Sequence, residues 1–172
     1  ALIEKMANLG PIAVSIAPWQ IPHIQNYQIS KLKEILSKEG YVLGQQGLNH
    51  KCNKCSAFHV KTEGKEAIES GIDPWHENYC LYNKPLSAEE QRELMKKGRE
   101  TLTGLLGKSP EMYVPPNHLF DFTTLEVAND MEYDFFVIKG VKTNEPLVYE
   151  NDGVNTLVLP ERKISENGYF HY

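Results

Sequence analysis

Cysteine is scarce in this chain and odd in number. Its 172 residues hold three, Cys52, Cys55 and Cys80, which cannot all pair with one another, so a disulfide framework of the secreted kind is disfavoured. Long apolar runs are lacking as well. None approaches the ~18 residues a membrane-spanning helix needs, so no membrane span is expected. No basic cluster is present and the formal net charge is −5, which argues against nucleic acid as the main partner. No secretory signal, internal repeat or low-complexity segment is visible. With thiols expected to be reduced, the expected location is the cytoplasm. The chain begins at Ala1 within an amphipathic segment, without an initiator Met, so the natural start is expected upstream.

What is present is the alternation of an α/β protein. Apolar residues make up 41% of the chain, enough for the core of one ordinary domain spanning 1–172. Leu2, Ile3, Met6 and Leu9 share one face of a helix end that Gly10 stops. Pro11–Ala17 is β-branched and nearly all apolar, which suits a strand buried on both faces. A loop with Trp19, Pro22, His23 and Gln25 follows. The spacing of Ile29, Leu32, Ile35 and Leu36 predicts a helix over 29–39 closed by Gly40, and Tyr41–Leu43 starts another strand. The order βαβ implies a right-handed parallel crossover. Ser87-Ala-Glu-Glu90 is a capping box opening a helix to about Leu106, with Leu94, Leu102, Leu105 and Leu106 inward and Gly107 as the stop. Strands are expected at Met112–Val114, Asp134–Lys139, Leu147–Glu150 and Thr156–Leu159, with a helix over about Thr123–Met131.

Residues 47–86 break this rhythm. The stretch is polar and without periodicity, and it holds all three cysteines together with His50, His59 and His76. Such a length suggests a functional loop or insertion, placed at about 50–85. Cys52-x2-Cys55 followed by His76-x3-Cys80 offers thiolates and imidazole in two short pairs. That is a donor set for tetrahedral zinc, because each short pair closes a small chelate at little loop entropy. His50 and His59 are possible substitutes in that set. The competing reading is a Cys-x-x-Cys of redox or no consequence. Metal is favoured, because binding would give the loop a reason to be ordered.

Two further stretches carry chemistry. Gly44-Gln45-Gln46-Gly47-Leu48-Asn49-His50 ends a predicted strand with a His that could bind a metal or act as a base; taken alone it reads as an ordinary loop residue. In Glu111–Asp121 an apolar run stops at Pro115-Pro116, and Asn117, His118 and Asp121 follow. In an α/β fold these polar residues lie beyond the C-terminal end of a strand, where such folds place their sites. The plainer reading is a proline turn with Asp121 or Thr123 capping the next helix.

Assembled, these segments resemble the polysaccharide deacetylase family, in a divergent branch with a Cys-rich insertion. Gly44–His50 is similar to the family's Glu-x-Gly-x-His-Gly-x-x-His metal motif. Tyr113-Val-Pro-Pro116, then Thr124-Leu125 and Tyr133-Asp-Phe, resembles the Arg-Pro-Pro-Tyr strand and its following helix. Lys97-Gly-Arg-Glu100 with Gly107-Lys-Ser-Pro110 matches the helix before that strand. The resemblance implies an irregular (β/α) barrel whose first strand, with the Asp motif that supplies the base, lies before residue 1. It also implies a metal-dependent hydrolase acting on an N-acetylated sugar or related amide, with a divalent metal, zinc above others. His50 and Gln46 occupy the metal-pair positions, His118 and His171 are the catalytic candidates, and Trp19, Pro116, Asn117 and Asp121 are the substrate-side candidates. Gln46 stands where the family has the first His of the pair, and Val114 where it has Arg. Those departures favour an alternative, a non-catalytic deacetylase-like scaffold with a zinc-stabilised loop that binds a ligand or partner.

Overall fold

The apolar runs separated by amphipathic stretches become a parallel sheet with helices against it. The structure, a computed structural model, describes residues 12–49, 79–80, 84–118, 120–139, 145–165 and 168–170. Strand β1 is Ala13–Ile16 and is followed by a 3-10 segment at Pro18–His23. Helix α1 is Asn26–Leu36, and β2 is Val42–Gln46. Two short strands, β3 at Tyr79–Cys80 and β4 at Lys84–Pro85, pair antiparallel. Helix α2 is Ala88–Leu106, β5 is Met112–Val114, and α3 is Phe122–Asp130. The remaining strands are β6 (Phe135–Lys139), β7 (Leu147–Asn151), β8 (Val154–Ser165) and β9 (Gly168–Phe170).

The main sheet runs β1-β2-β5-β6-β8-β7, and β9 pairs with β8. From β1 to β8 every neighbouring pair is parallel, whereas β7 and β9 lie antiparallel to β8. The parallel α/β organisation is as the sequence implies. The described pairings run from β1 at one end to β7 at the other, and none of them joins the two ends. Alternation along the strands separates two apolar layers. On one face, Leu43 and Ile16 pack with Leu32 and Leu36 of α1 and Leu102 and Leu106 of α2. Tyr113, Phe136 and Ile138 continue that face beneath Met95 of α2 and Val127 and Ala128 of α3. The other face gathers Met112, Val114, Val137 and Leu159.

Local signals account for the helix ends. Ser87 and Glu90 form the expected capping box, with Ser87 N donating to Glu90 Oε2 at 2.8 Å and Glu90 N to Ser87 Oγ at 3.3 Å. Leu94, Leu102 and Leu106 are buried as expected, and Leu105 is partly so. Gly107 ends α2 in the left-handed conformation at φ 73°. Three expectations need correction. Helix α1 starts at Asn26, earlier than 29: Gln25, a residue type that seldom serves as N-cap, holds that position, and the Gln28 side chain three residues on accepts from its backbone N–H at 2.9 Å. Strand β1 is not buried on both faces: Ala13 is exposed, and β1 pairs with β2 alone among the described residues. The β3–β4 pair occupies part of a stretch read as structureless, since two-residue strands have no periodicity to display. The helix expected at 1–9 and most of the 50–85 insertion lie outside the described residues.

Replacing Gly107 with Ala puts a Cβ into the left-handed region and should cost about 1–2 kcal/mol. Urea unfolding should show this as a lower midpoint at unchanged slope. An unmoved midpoint would contradict this helix stop.

Candidate functional site

Because β1, β2 and β5 are adjacent and parallel, the segments that leave their C-terminal ends emerge at one edge of the sheet. Ala17 and Pro18 are buried after β1, and Trp19, 36% exposed, donates its backbone N–H to Leu48 O at 3.1 Å. That bond ties the loop after β1 to the loop after β2, so Trp19 and the segment leading to His50 share this edge. Gln46 ends β2, and its register partner on β5 is Val114. The two positions at which the sequence departs from the deacetylase motifs are therefore neighbours across one strand pair. Beyond Val114, Pro115 and Pro116 are buried, and a single 3-10 turn covers Pro116–His118. His118 N donates to Pro115 O at 2.9 Å, and His118 sits at φ 54°, the left-handed region that only a few non-glycine types tolerate.

Asp121 is committed to helix capping. Its Oδ1 accepts from Thr124 N at 2.9 Å, from Thr124 Oγ1 at 2.7 Å and from the buried Gln91 Nε2 at 3.3 Å. The proline-turn-and-cap reading thus describes its contacts, which also lock the start of α3 to α2. Trp19, Gln46, Pro116, Asn117 and His118 are brought to one edge. His50, Cys52, Cys55, His76 and His171 lie outside the described residues, and Cys80 is placed only as the end of β3. Among the described residues, no three His, Cys, Asp or Glu side chains come together as a metal site. No helix there is long and apolar enough to cross a membrane.

Directly beneath this edge lies a polar network that the sequence pattern did not single out. Side chains alternate along β2, so Gln45 points to the helical face, opposite to Gln46. It is fully buried. Its Nε2 donates to Met95 O of α2 at 3.0 Å, and its Oε1 accepts from Tyr133 Oη at 2.7 Å. Arg99 lies 3.9 Å over the Tyr133 ring and donates from Nη1 to Met131 O at 2.6 Å. The close passage of α2 over β2 depends on Gly98: a Cβ there would stand 2.1 Å from Gln45 Nε2 and 3.0 Å from Gly47 O. A glycine inside a helical pattern was the available signal, since such a residue commonly marks close packing. Burial pushes the Tyr133 phenol up to about 12, while Arg99 pulls it in the opposite direction.

Two outcomes follow from this network. Tyr133→Phe leaves Gln45 Oε1 buried without its donor and should cost about 1–3 kcal/mol in chemical denaturation; a loss within ±0.5 kcal/mol would mean the bond is dispensable. An unfolded phenol titrates near 10, so the folded chain holds this proton more tightly. The resulting stability is whole below about pH 10 and is lost as pH rises through about 12. Stability measured across that window should fall less steeply in Tyr133→Phe than in the parent chain.

No protein-family model matches the chain, and no curated protein does. Solved structures do. A Mycobacterium smegmatis protein designated a polysaccharide deacetylase aligns with 91% of this chain and 42% of its own, with a TM-score of 0.56 at 13% identity. IcaB from Ammonifex degensii aligns with 64% of this chain and 39% of its own, at TM-score 0.42 and 14% identity. BA3943, a CE4 family pseudoenzyme from Bacillus anthracis, covers 73% of this chain and 41% of its own, at TM-score 0.37 and 15% identity. The chain thus spans only about two fifths of the length of these structures. The first of these likenesses is one of fold: the mixed α/β sheet described above is similar to that of the M. smegmatis protein.

Proposed function

We propose that this chain belongs to a deacetylase-like hydrolase of one domain, whose strands close into an irregular (β/α) barrel, and that it cleaves an N-acetyl group from a sugar or related amide. The observation that carries this reading is the gathering of Trp19, Gln46 and Pro116–His118 at the C-terminal edge of three adjacent parallel strands. Sites of α/β folds form at that edge. The helices contact one face and an apolar layer fills the other, which is also how a barrel divides its outside from its interior.

In this reading Trp19, Pro116, Asn117 and Asp121 form the substrate side, Asp121 through the cap that holds the turn in place. His118, on its buried proline turn, and His171 carry protons, and His171 delivers one to the departing amine. A divalent metal, zinc by donor type, would polarise the carbonyl and lower the pKa of a bound water. His50 and Gln46 occupy the positions for holding it, and Cys52, Cys55, His76 and Cys80 form the set for a zinc in the insertion loop. Gln46 is a neutral amide and a weak ligand for zinc, and its neighbour Val114 offers no donor at all. The described part of the edge is therefore not a donor set by itself.

That pairing of Gln46 with Val114 supports a second reading, a non-catalytic scaffold that keeps the fold and binds a ligand or partner. Removing even one electrostatic stabiliser typically costs ~10²–10³ in rate. Acetate release from an N-acetylated chitooligosaccharide, measured with zinc present, separates the two. The hydrolase reading expects release that falls about 10²-fold or more in His118→Ala and in His171→Ala; no release from the parent chain leaves the scaffold. Metal analysis should find about one zinc held by the loop donors. A chain without zinc, as stable after Cys52→Ser as before, would remove the metal loop.

A further inference from the structure

At the outer end of the sheet, the start of α3 and strand β7 carry an aromatic and acidic surface that the proposed chemistry does not use. Phe122 follows the capping Asp121 and is 62% exposed. It meets Tyr149 of β7 edge-on, with ring centroids 5.6 Å apart and planes at 88°. Leu147 stands on the same face of β7 as Tyr149 by strand alternation and is also exposed. On α3, Glu126 and Asp130 follow Phe122 at four-residue steps, so the three lie along one stripe. Both carboxylates reach Tyr149 electrostatically: burial first, then Glu126 and Asp130, hold its phenol above the usual range. Asp130 is shared with Arg92 at 2.6 Å, whereas Glu126 has no ion pair among the described residues. Glu145 adds an exposed carboxylate just before β7.

Aromatic faces attract cations through the ring quadrupole, and Glu126 supplies the opposite charge beside them. This chemistry selects an ammonium group. A second copy of the chain is a poor occupant, because each copy carries a net charge of −5 and would bring its own acidic stripe to the contact. De-N-acetylation converts a neutral amide into an ammonium on a sugar ring. Resting on the hydrolase reading, we infer that Phe122, Tyr149 and Glu126 form a secondary surface that binds the glucosamine units of a partly deacetylated polymer. The enzyme would then hold its substrate by the stretches it has already processed.

The test is binding of fully deacetylated chitotetraose to the whole chain, followed by backbone amide shifts. Binding should perturb residues 122–126 and 147–149, weaken in high salt, and be several-fold weaker for the N-acetylated tetramer. Phe122→Ala should weaken it about threefold to fivefold and Glu126→Gln about threefold, with Phe122→Tyr restoring it. Phe122 is exposed, so its replacement leaves the core intact, and circular dichroism verifies this. Perturbations elsewhere, affinity unmoved by both substitutions, or equal binding of a lysine oligomer at the same residues would overturn the inference, the last by assigning the surface to basic peptides. Acetate release, assayed separately, should be unchanged by Phe122→Ala and Glu126→Gln on a short N-acetylated substrate. Failure of the parent chain to release acetate would count against the hydrolase reading, and the binding result would still decide the surface.

Discussion

A buried amide needs partners for both its donor and its acceptor, and the placement of Gln45 depends on meeting that need. Carried inside without hydrogen bonds, such a group costs several kcal/mol at the upper end. Here Met95 O takes the N–H and Tyr133 Oη supplies the other bond. Meeting both ends draws α2 down onto β2, which only a residue without a Cβ at position 98 permits. It also sets the chain leaving α3, because Tyr133 must reach back from the start of the next strand. Arg99 completes the arrangement by covering the Tyr133 ring and bonding Met131 O at the end of α3. One polar contact thereby positions two helices against the strand whose end forms part of the candidate site.

Much of the fold is legible in the sequence where a local rule governs it. Ser87 and Glu90 open α2, Gly107 closes it, and the apolar runs at 112–114 and 135–139 become the central parallel strands. What escaped reading is set by contacts distant in sequence or by unusual residue types. Gln25 holds the N-cap position of α1 although glutamine is not preferred there, and the bond that closes this end comes from the Gln28 side chain. The place of β1 at the end of the described sheet depends on which strands pair, which no run of residues encodes. Gln45 and Gln46 look alike in the sequence, and only strand alternation assigns one to the interior network and the other to the site edge. The segments that carry the deacetylase resemblance fare differently again. Gly98, Arg99 and Tyr133 all come from them, and they converge on Gln45 inside the protein. Those segments thus speak first for the fold, and only the loops at the strand ends can speak for the chemistry.

At those ends the edge combines an aromatic, a buried double proline and an imidazole with two neutral side chains, Gln46 and Val114, paired across β2 and β5. In the hydrolase reading proposed above, such an edge would bind and orient a neutral amide on a sugar, with the donors for catalysis supplied from the loops around it. Fold alone does not settle chemistry. The aromatic and acidic stripe at the outer strand would add to this edge a preference for the charged product over the neutral substrate.

In the hydrolase reading, an N-acetylated sugar binds at the sheet's C-terminal edge. Backbone amide shifts recorded while an N-acetylated chitooligosaccharide is added, with and without zinc, test it most directly. Saturable perturbations should concentrate at Trp19, Gly47–Asn49 and Asn117–His118. Perturbations confined to the opposite end of the strands, or none at high ligand concentration, would contradict it.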